Sequence, residues 1–337
     1  MTISSSDGIL CIRKLFRKIF SLGGCIKILN LGSLNIDKTY SVNHYAEAGE
    51  TIQATTHGEF CGGKGLNQSI ALARAGADVF HAGCIGQDGN ILSETLAGAG
   101  VKTELIRKSQ KPSGHAVIQV NHEGQNKIMI FGGANSDVTP EYIDEVLEHF
   151  NREDMLLLQN EISNVPYAIE KAGEKGMTVV FNPSPISSSI EQCDLRKVDY
   201  LILNEVEGRK LAGTDSENPD EILKKLHSKY PQAVVVLTLG SRGSCYMDEK
   251  EFFHQEIFPA EVIDTTGAGD TFTGYFLAGI ARGKQPGEAM KYAALASALS
   301  VGRHGASPSI PAYEEVHREM MMKMSQARLQ DSLRELG

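Results

Sequence analysis

Two carboxylates and a glycine turn fall within seven consecutive residues, Asp264-Thr265-Thr266-Gly267-Ala268-Gly269-Asp270. Residues 271–280 follow with helical spacing and place Phe272, Phe276 and Ile280 on one apolar face. A Gly-Ala-Gly turn at a helix start leaves the N–H groups of Gly267, Ala268 and Gly269 without helical acceptors. Together with the positive end of the helix dipole they form an anion cradle. Asp270 stands at its edge. A carboxylate beside a phosphate site has one evident task, to take a proton from a hydroxyl that attacks a phosphoryl group. Read alone, the motif also fits a plain helix N-cap.

A second glycine turn, Cys61-Gly62-Gly63-Lys64-Gly65-Leu66-Asn67, also precedes a helical pattern. Its glycines admit a polar ligand close to the backbone, and Lys64 and Asn67 offer hydrogen bonds to hydroxyls or charge. The spacing is neither that of a P-loop nor that of a dinucleotide fingerprint. In isolation, a structural turn explains it equally well.

Both turns must be positioned by what surrounds them. Apolar strand-like runs at 28–31, 79–85, 155–159, 178–181, 200–203 and 234–237 alternate with helical patterns such as 65–75 and the one opening at Thr139-Pro140. This predicts an α/β fold with a mostly parallel sheet covered on both faces, and ligands beyond the carboxyl ends of its strands. Glu161, Asn182, Asn204, Glu207, Thr238 and Gly240 stand at those ends. Two segments break the alternation. Residues 116–120 and 127–130 flank a Glu123-Gly124 turn as a β-hairpin, and 39–60 is polar and β-leaning. Together they predict a small sheet projecting from the main domain.

The chain has 337 residues, 41% of them hydrophobic and 22% charged, with a net charge of −9. One large α/β domain could hold all of it. The acidic balance argues against nucleic-acid binding, which needs basic patches. No apolar run reaches the roughly 18 residues of a membrane-spanning helix. Cys11, Cys25, Cys61, Cys84, Cys193 and Cys245 show no metal-ligand spacing and read as free thiols of a reducing cytoplasm. Residues 1–26 form a distinct extension, with a short basic amphipathic pattern at 12–20. It reads as dispensable, without stable membrane association.

The two glycine turns in this order are more specific than either alone. With them, the chain resembles the ribokinase family of carbohydrate kinases (the PfkB group) from about Ile28 to Pro311. The turn at 62–67 is similar to the family's first signature, the turn at 264–270 to its second, and Asn204-Glu205-Val206-Glu207 to its Asn-x-x-Glu motif. Gly32-Ser33-Leu34-Asn35-Ile36-Asp37 resembles the sugar-binding opening of the members that act on D-ribose. Leu158-Gln159-Asn160-Glu161 resembles their sugar-pocket strand end, and Thr238-Leu239-Gly240-Ser241-Arg242-Gly243 their nucleotide-binding turn.

The resemblance implies a three-layer αβα kinase domain over 27–315, a β-sheet lid from about 38–61 and 114–131, and a C-terminal helix over 316–337. It implies ATP-dependent phosphorylation of D-ribose at O5 by a homodimer joined through the lid. Asp270 would be the base, and Gly267, Ala268 and Gly269 the anion hole. Asn35, Asp37, Gly63, Lys64, Asn67 and Glu161 would hold the sugar. Asn204, Thr238, Gly240, Ser241, Gly243 and Gly269 would hold ATP, with Asn204 and Glu207 organising Mg²⁺. Asp264, Thr266, Ser300, Arg303, Gly305 and Ser309 match the family's potassium site. One departure is Ala294, where an asparagine near the adenine is usual. The resemblance also admits a sister kinase of deoxyribose, fructose, a keto-deoxy sugar acid or a nucleoside. A sugar sensor without catalysis is disfavoured by the intact Asp270, Gly267 and Gly269. A DNA-binding regulator is disfavoured by the short N-terminal extension.

Overall fold

In chain order the elements are β1 (Lys27–Leu31), β2 (Asn35–Ser41), β3 (Thr56–Gly62), α1 (Lys64–Arg74), β4 (Asp78–Ile85), α2 (Asn90–Gly98), β5 (Lys102–Lys108), β6 (Gly114–Val120), β7 (Asn126–Phe131), α3 (Pro140–Glu148) and β8 (Met155–Gln159). There follow α4 (Val165–Lys175), β9 (Thr178–Asn182), β10 (Tyr200–Asn204), α5 (Glu205–Ala212), α6 (Pro219–Lys229), β11 (Val234–Thr238), β12 (Ser244–Met247), β13 (Phe252–Gln255), α7 (Ala268–Ala281), α8 (Pro286–Val301) and α9 (Tyr313–Glu335). This computed structural model describes residues 26–335, and the side chains of 26–326. The pattern expected at 12–20 lies outside the described residues, as do Cys11 and Cys25.

The six apolar runs all become strands of one nine-stranded sheet, ordered β13-β12-β11-β10-β9-β8-β1-β4-β5. From β11 to β5 every neighbouring pair is parallel. β12 and β13 add an antiparallel edge. Side chains alternate between two cores, as the period-2 pleat requires. Leu29, Leu156, Leu158 and Phe181 pack against Ile143 of α3, Ile169 of α4 and Ile222 of α6. Ile28, Leu157, Val180 and Val236 pack against Ile70 of α1, Phe276 of α7 and Met290 of α8. This is the three-layer αβα arrangement. α3 starts as its sequence predicts, with Thr139 capping Tyr142 N–H and Pro140 at the first helical position.

α7 departs from expectation. In place of one apolar stripe it is buried continuously from Asp270 to Gly279. Gly274 explains how: a Cβ there would stand 2.3 Å from Ala71 Cβ, so α1 and α7 meet almost backbone to backbone. Both glycine turns therefore open helices that are in direct contact.

The remaining strands form the small sheet, ordered β3-β2-β6-β7. Its first half runs from Asn35 to Gly62, slightly beyond the expected 38–61, and its second half from Gly114 to Phe131. In β6, Val117 and Ile118 point to opposite faces, paired with Met129 and Ile128. All of β7 is exposed. The C-terminal helix, expected from 316, begins at Tyr313. Among the described residues, no helix is long and apolar enough to cross a membrane, and Cys61, Cys84, Cys193 and Cys245 are free thiols.

Candidate active site

Asp270 lies in the first turn of α7, only 7% exposed. Its Oδ2 accepts from Asn67 Nδ2 at 3.2 Å and its Oδ1 from Gln68 Nε2 at 2.8 Å. Both donors belong to α1, so the close contact of the two helices aims the carboxylate. Ahead of it, Gly267 caps the helix at φ 74°, a left-handed conformation that glycine adopts without strain. A Cβ at Gly267 would also press on Ala306 at 3.0 Å. By helix geometry the first-turn N–H groups lack a carbonyl one turn back. That of Ala268 makes only a long contact, 3.3 Å, to Thr265 O. These groups, with the dipole of a fourteen-residue helix, can bind a phosphoryl oxygen.

α1 opens at Gly63, whose φ of 92° again requires glycine. Lys64 N–H donates to Glu161 Oε2 at 3.0 Å, and Ser33 Oγ donates to the same oxygen at 2.5 Å. Burial pulls the Lys64 ammonium down, but the carboxylates of Asp270, Glu161 and Glu207 outweigh it and hold the group above its ordinary value. Burial raises the Glu161 carboxyl, against the pull of Ser33 and Lys64. Lys64 is thus the positive centre among three carboxylates.

Asn35 and Asp37 come from β2. Asn35 is buried, and its Oδ1 accepts from Asn135 Nδ2 at 2.8 Å. Asp37 makes room for itself at a glycine: a Cβ on Gly62 would stand 2.0 Å from Asp37 Oδ2. Burial, helped by the Glu161 charge, pushes the Asp37 carboxyl up to about 6. Asn67 Oδ1 is buried without a partner among the described residues. A ligand rich in hydroxyls can satisfy such a set, because each hydroxyl both donates and accepts.

Asn204 and Glu207 form a capping box at the start of α5. Asn204 Oδ1 accepts from Glu207 N–H at 2.9 Å, and Glu207 Oε2 from Asn204 N–H at 3.0 Å. Glu207 is 7% exposed, close enough to Lys64 to share its field. Asn204 pairs in register with Thr238, the last residue of β11. Gly240, Ser241 and Gly243 form the turn beyond it, with Gly240 and Ser241 exposed. Gly243, at φ 89°, passes so close to β13 that a Cβ would meet Gln255 O at 2.2 Å. No hydrogen bond joins this turn to Asp270 among the described residues. The turn and Asn204 lie together at the strand ends.

Asp264 ties two loops together. Its Oδ1 accepts from Thr266 N–H at 2.9 Å and Thr266 Oγ1 at 2.6 Å, and its Oδ2 from Gly305 N–H at 2.8 Å. Burial raises this carboxyl, but the three hydrogen bonds prevail and hold it below its ordinary value. Ser300 and Ser309 turn their hydroxyls onto nearby carbonyls, Ser297 O and Ala306 O, both at 2.8 Å. The Arg303 guanidinium pairs with Glu315. Among the described residues there is no group of three or more His, Cys, Asp or Glu side chains able to hold a metal. A cation beside Asp264 would therefore depend largely on backbone oxygens, and Asp264 supplies a stable negative charge for it.

Sequence reasoning gave no role to Ser33, Gln68, Asn135, Asn30 or Gln159, all of which stand directly on site residues or one step behind. For Asn30, Gln159 and Gln68 the only signal is a polar side chain in an apolar strand or on the buried face of a helix; Ser33 and Asn135 stand in a loop and a short 3-10 turn, which carry no such signal.

The model of the pfkB family carbohydrate kinase matches residues 26–313. A ribokinase of Staphylococcus aureus (strain COL) is 35% identical over 303 residues, which cover 87% of this chain and 99% of that protein. The structure of an Arabidopsis thaliana ribokinase complexed with ribose and ATP superposes with a TM-score of 0.76 at 31% identity, covering 88% of this chain and 98% of the other. A ribokinase from Cryptococcus neoformans var. grubii serotype A in complex with ADP gives a TM-score of 0.77 at 32% identity, covering 87% and 99%.

Proposed function

The chain belongs to the pfkB family of carbohydrate kinases, and on that premise we propose that it transfers the γ-phosphoryl group of ATP to O5 of D-ribose. The observation that carries this is the buried Asp270 carboxylate at the N-terminus of α7, held through both oxygens by α1. Asp270 accepts the O5 proton as O5 forms its bond to the γ-phosphorus. The bond to the β-phosphate bridging oxygen breaks, and ADP leaves with that electron pair. The products are D-ribose 5-phosphate and ADP. The first-turn N–H groups of Gly267, Ala268 and Gly269 receive the transferring group's charge without reorganising. Lys64, kept charged, balances the carboxylates around it.

Asn35, Asp37, Gly63, Lys64, Asn67 and Glu161 hold the sugar hydroxyls. Thr238, Gly240, Ser241 and Gly243 hold the nucleotide with Asn204 and Gly269. Asn204 and Glu207 would hold Mg²⁺ together with the phosphates of ATP, and the ion would supply neutralisation of phosphate charge. Asp264, with oxygens of Thr266, Ser300, Arg303, Gly305 and Ser309, would hold a potassium ion, which would supply positive charge beside the anion cradle. Ala294 offers the adenine no side-chain hydrogen bond, which weakens the preference for ATP over other nucleotides. Three carboxylates around one lysine disfavour a sugar acid, whose own charge they would repel.

The small sheet is the lid and the dimer contact. Phe60, Ile128, Met129, Ile130 and Phe131 of this sheet are each half or more exposed, so apolar surface remains on both of its faces. A second copy would cover the outer face, and light scattering at micromolar concentration should read a dimer. Free thiols fit a reducing cytoplasm.

The test is ADP release over a panel of D-ribose, 2-deoxy-D-ribose, D-fructose, a keto-deoxy sugar acid and a nucleoside. D-Ribose should give the highest kcat/KM, by at least about tenfold, because a site built to bind a hydroxyl rejects an analogue lacking it. A higher value for any other sugar would reassign the substrate.

A further inference from the structure

Asp270 is held by a chain of amides that runs away from the sugar site. Gln68 Nε2 donates to Asp270 Oδ1 at 2.8 Å and to Asn182 Oδ1 at 3.1 Å. Gln68 Oε1 accepts from Gln159 Nε2 at 2.7 Å, and the same nitrogen donates to Asn30 Oδ1 at 3.0 Å. Asn30 Nδ2 donates to Gly65 O and to Ser69 Oγ, both at 2.8 Å. Ser69 Oγ meets His81 Nδ1 at 2.8 Å. Asn30, Gln68, Ser69 and His81 have no exposure at all, and Gln159 has 1%.

An amide has two nearly identical ends, and only its partners decide which way it points. Here both ends of the chain are fixed. Gly65 O can only accept, so Asn30 must turn its nitrogen there and its oxygen to Gln159. Gln159 must then present its nitrogen, which also feeds Gln68 Oε1. Gln68 is left with its nitrogen toward Asp270, and an ionised carboxylate can only accept. Each of the three amide nitrogens spends both hydrogens. Ser69, accepting from Asn30, meets His81 Nδ1, with the donor between them set by the ring's tautomer. Burial pulls that imidazole down to about 3, although the Gly32 carbonyl works in the other direction.

We propose that Asn30 and Gln159 are positioning residues for phosphoryl transfer: by holding the oxygen end of the Gln68 amide they keep its nitrogen in the place from which it donates to Asp270. The inference rests on Asp270 as the base. Asn182, whose own nitrogen donates to Ile202 O, keeps the Gln68 nitrogen on the Asp270 side. Without the Asn30 amide, Gln159 loses the acceptor that sets it against Gln68 Oε1, so Gln68 can shift, and the carboxylate it holds moves off the line of attack. Of the six residues that hold the sugar, Asn35, Asp37 and Glu161 lie on other segments, and Lys64 N–H stays anchored on Glu161, so most of the sugar binding is spared.

The experiment uses the full chain with Asn30→Leu, Gln68→Met, the double variant and Asp270→Asn, measuring kcat and KM for D-ribose at saturating ATP, with circular dichroism to verify folding. Asn30→Leu should lower kcat roughly 10- to 100-fold, the range for a small misplacement of a reacting group, with KM within about twofold. The double variant should be no slower than Gln68→Met alone, because the side-chain hydrogen bonds that link Asn30 to Asp270 all pass through Gln68. If Asn30→Leu does not fold, Gln159→Met breaks the same link and takes its place. An unchanged kcat in the folded variant, a KM rising in step with the loss, or multiplying effects in the double variant would overturn the inference. Asp270→Asn separates the two readings. If it turns over like the parent, the assignment of the base fails; if it is inactive while Asn30→Leu is unaffected, only the amide chain fails.

Discussion

Replacing Asp37 by asparagine should make the ligand-free protein more stable and a worse sugar binder. Burial and the Glu161 charge raise the Asp37 carboxyl from 3.8 to about 6. Below 3.8 it is neutral in both the folded and the unfolded chain and contributes no difference. Between that value and about 6 the unfolded chain releases the proton while the folded chain keeps it, so stability falls as pH rises. Above about 6 both are ionised and the deficit is constant. At 1.36 kcal/mol per pH unit the deficit comes to about 3 kcal/mol, an upper bound because half-buried groups are partly screened. Asparagine has similar size and no charge to desolvate. Urea unfolding of parent and Asp37→Asn, without sugar, should give equal stabilities near pH 4 and a variant more stable by about 1–3 kcal/mol at pH 7.5. The sugar KM of the variant should rise, and that of the parent should improve as pH increases through about 6. A variant no more stable than the parent at pH 7.5, or a gain that does not grow between pH 4 and 6, would refute the reasoning. Asp37 would then be solvated as an ordinary surface carboxylate.

Three further outcomes are expected. Asp270→Asn should fold and bind D-ribose but lose turnover by roughly 10²–10⁴-fold, the usual worth of a positioned base; isothermal titration and initial rates separate the two effects. Activity should rise several-fold when potassium replaces sodium at fixed ionic strength. Asp264→Ala should abolish that response and, by freeing Thr266 and Gly305 N–H, soften the approach to the anion cradle; a flat parent response would leave Asp264 as a structural knot. Removing residues 1–24 should leave kcat/KM unchanged, since every site residue lies after Ile28; a collapse in soluble yield or in rate would show that the segment packs on the core.

What was legible in the sequence was what repeats along it. Uninterrupted runs such as Leu156-Leu157-Leu158 announce a strand buried on both faces, and six of them announce the parallel sheet. The glycine turns were legible because a positive φ, as at Gly63 and Gly267, leaves few other residues possible. What stayed hidden depends on segments meeting in space. Asn30 reads as one polar interruption in Ile-Leu-Asn-Leu, and only the approach of α1 to β1 gives it Gly65 O as a partner. Gln159 reads as the polar end of a strand, and only the sheet order sets it beside Asn30. Glu207 is legible as a candidate beyond a strand end, but its reciprocal bond with Asn204 and its burial are seen only in the fold. The burial of α7 on all sides follows from Gly274 against Ala71, a pair that no local period could have joined. The division has a physical cause. A base and an anion cradle need particular residue types in a tight local turn, which sequence records. The orientation of that base needs hydrogen bonds between helices and strands far apart in the chain, whose partners are ordinary amides. A polar residue inside an apolar strand is therefore informative, because burial without a partner would be costly. Asn30 must have a reason for its place, and the fold supplies one.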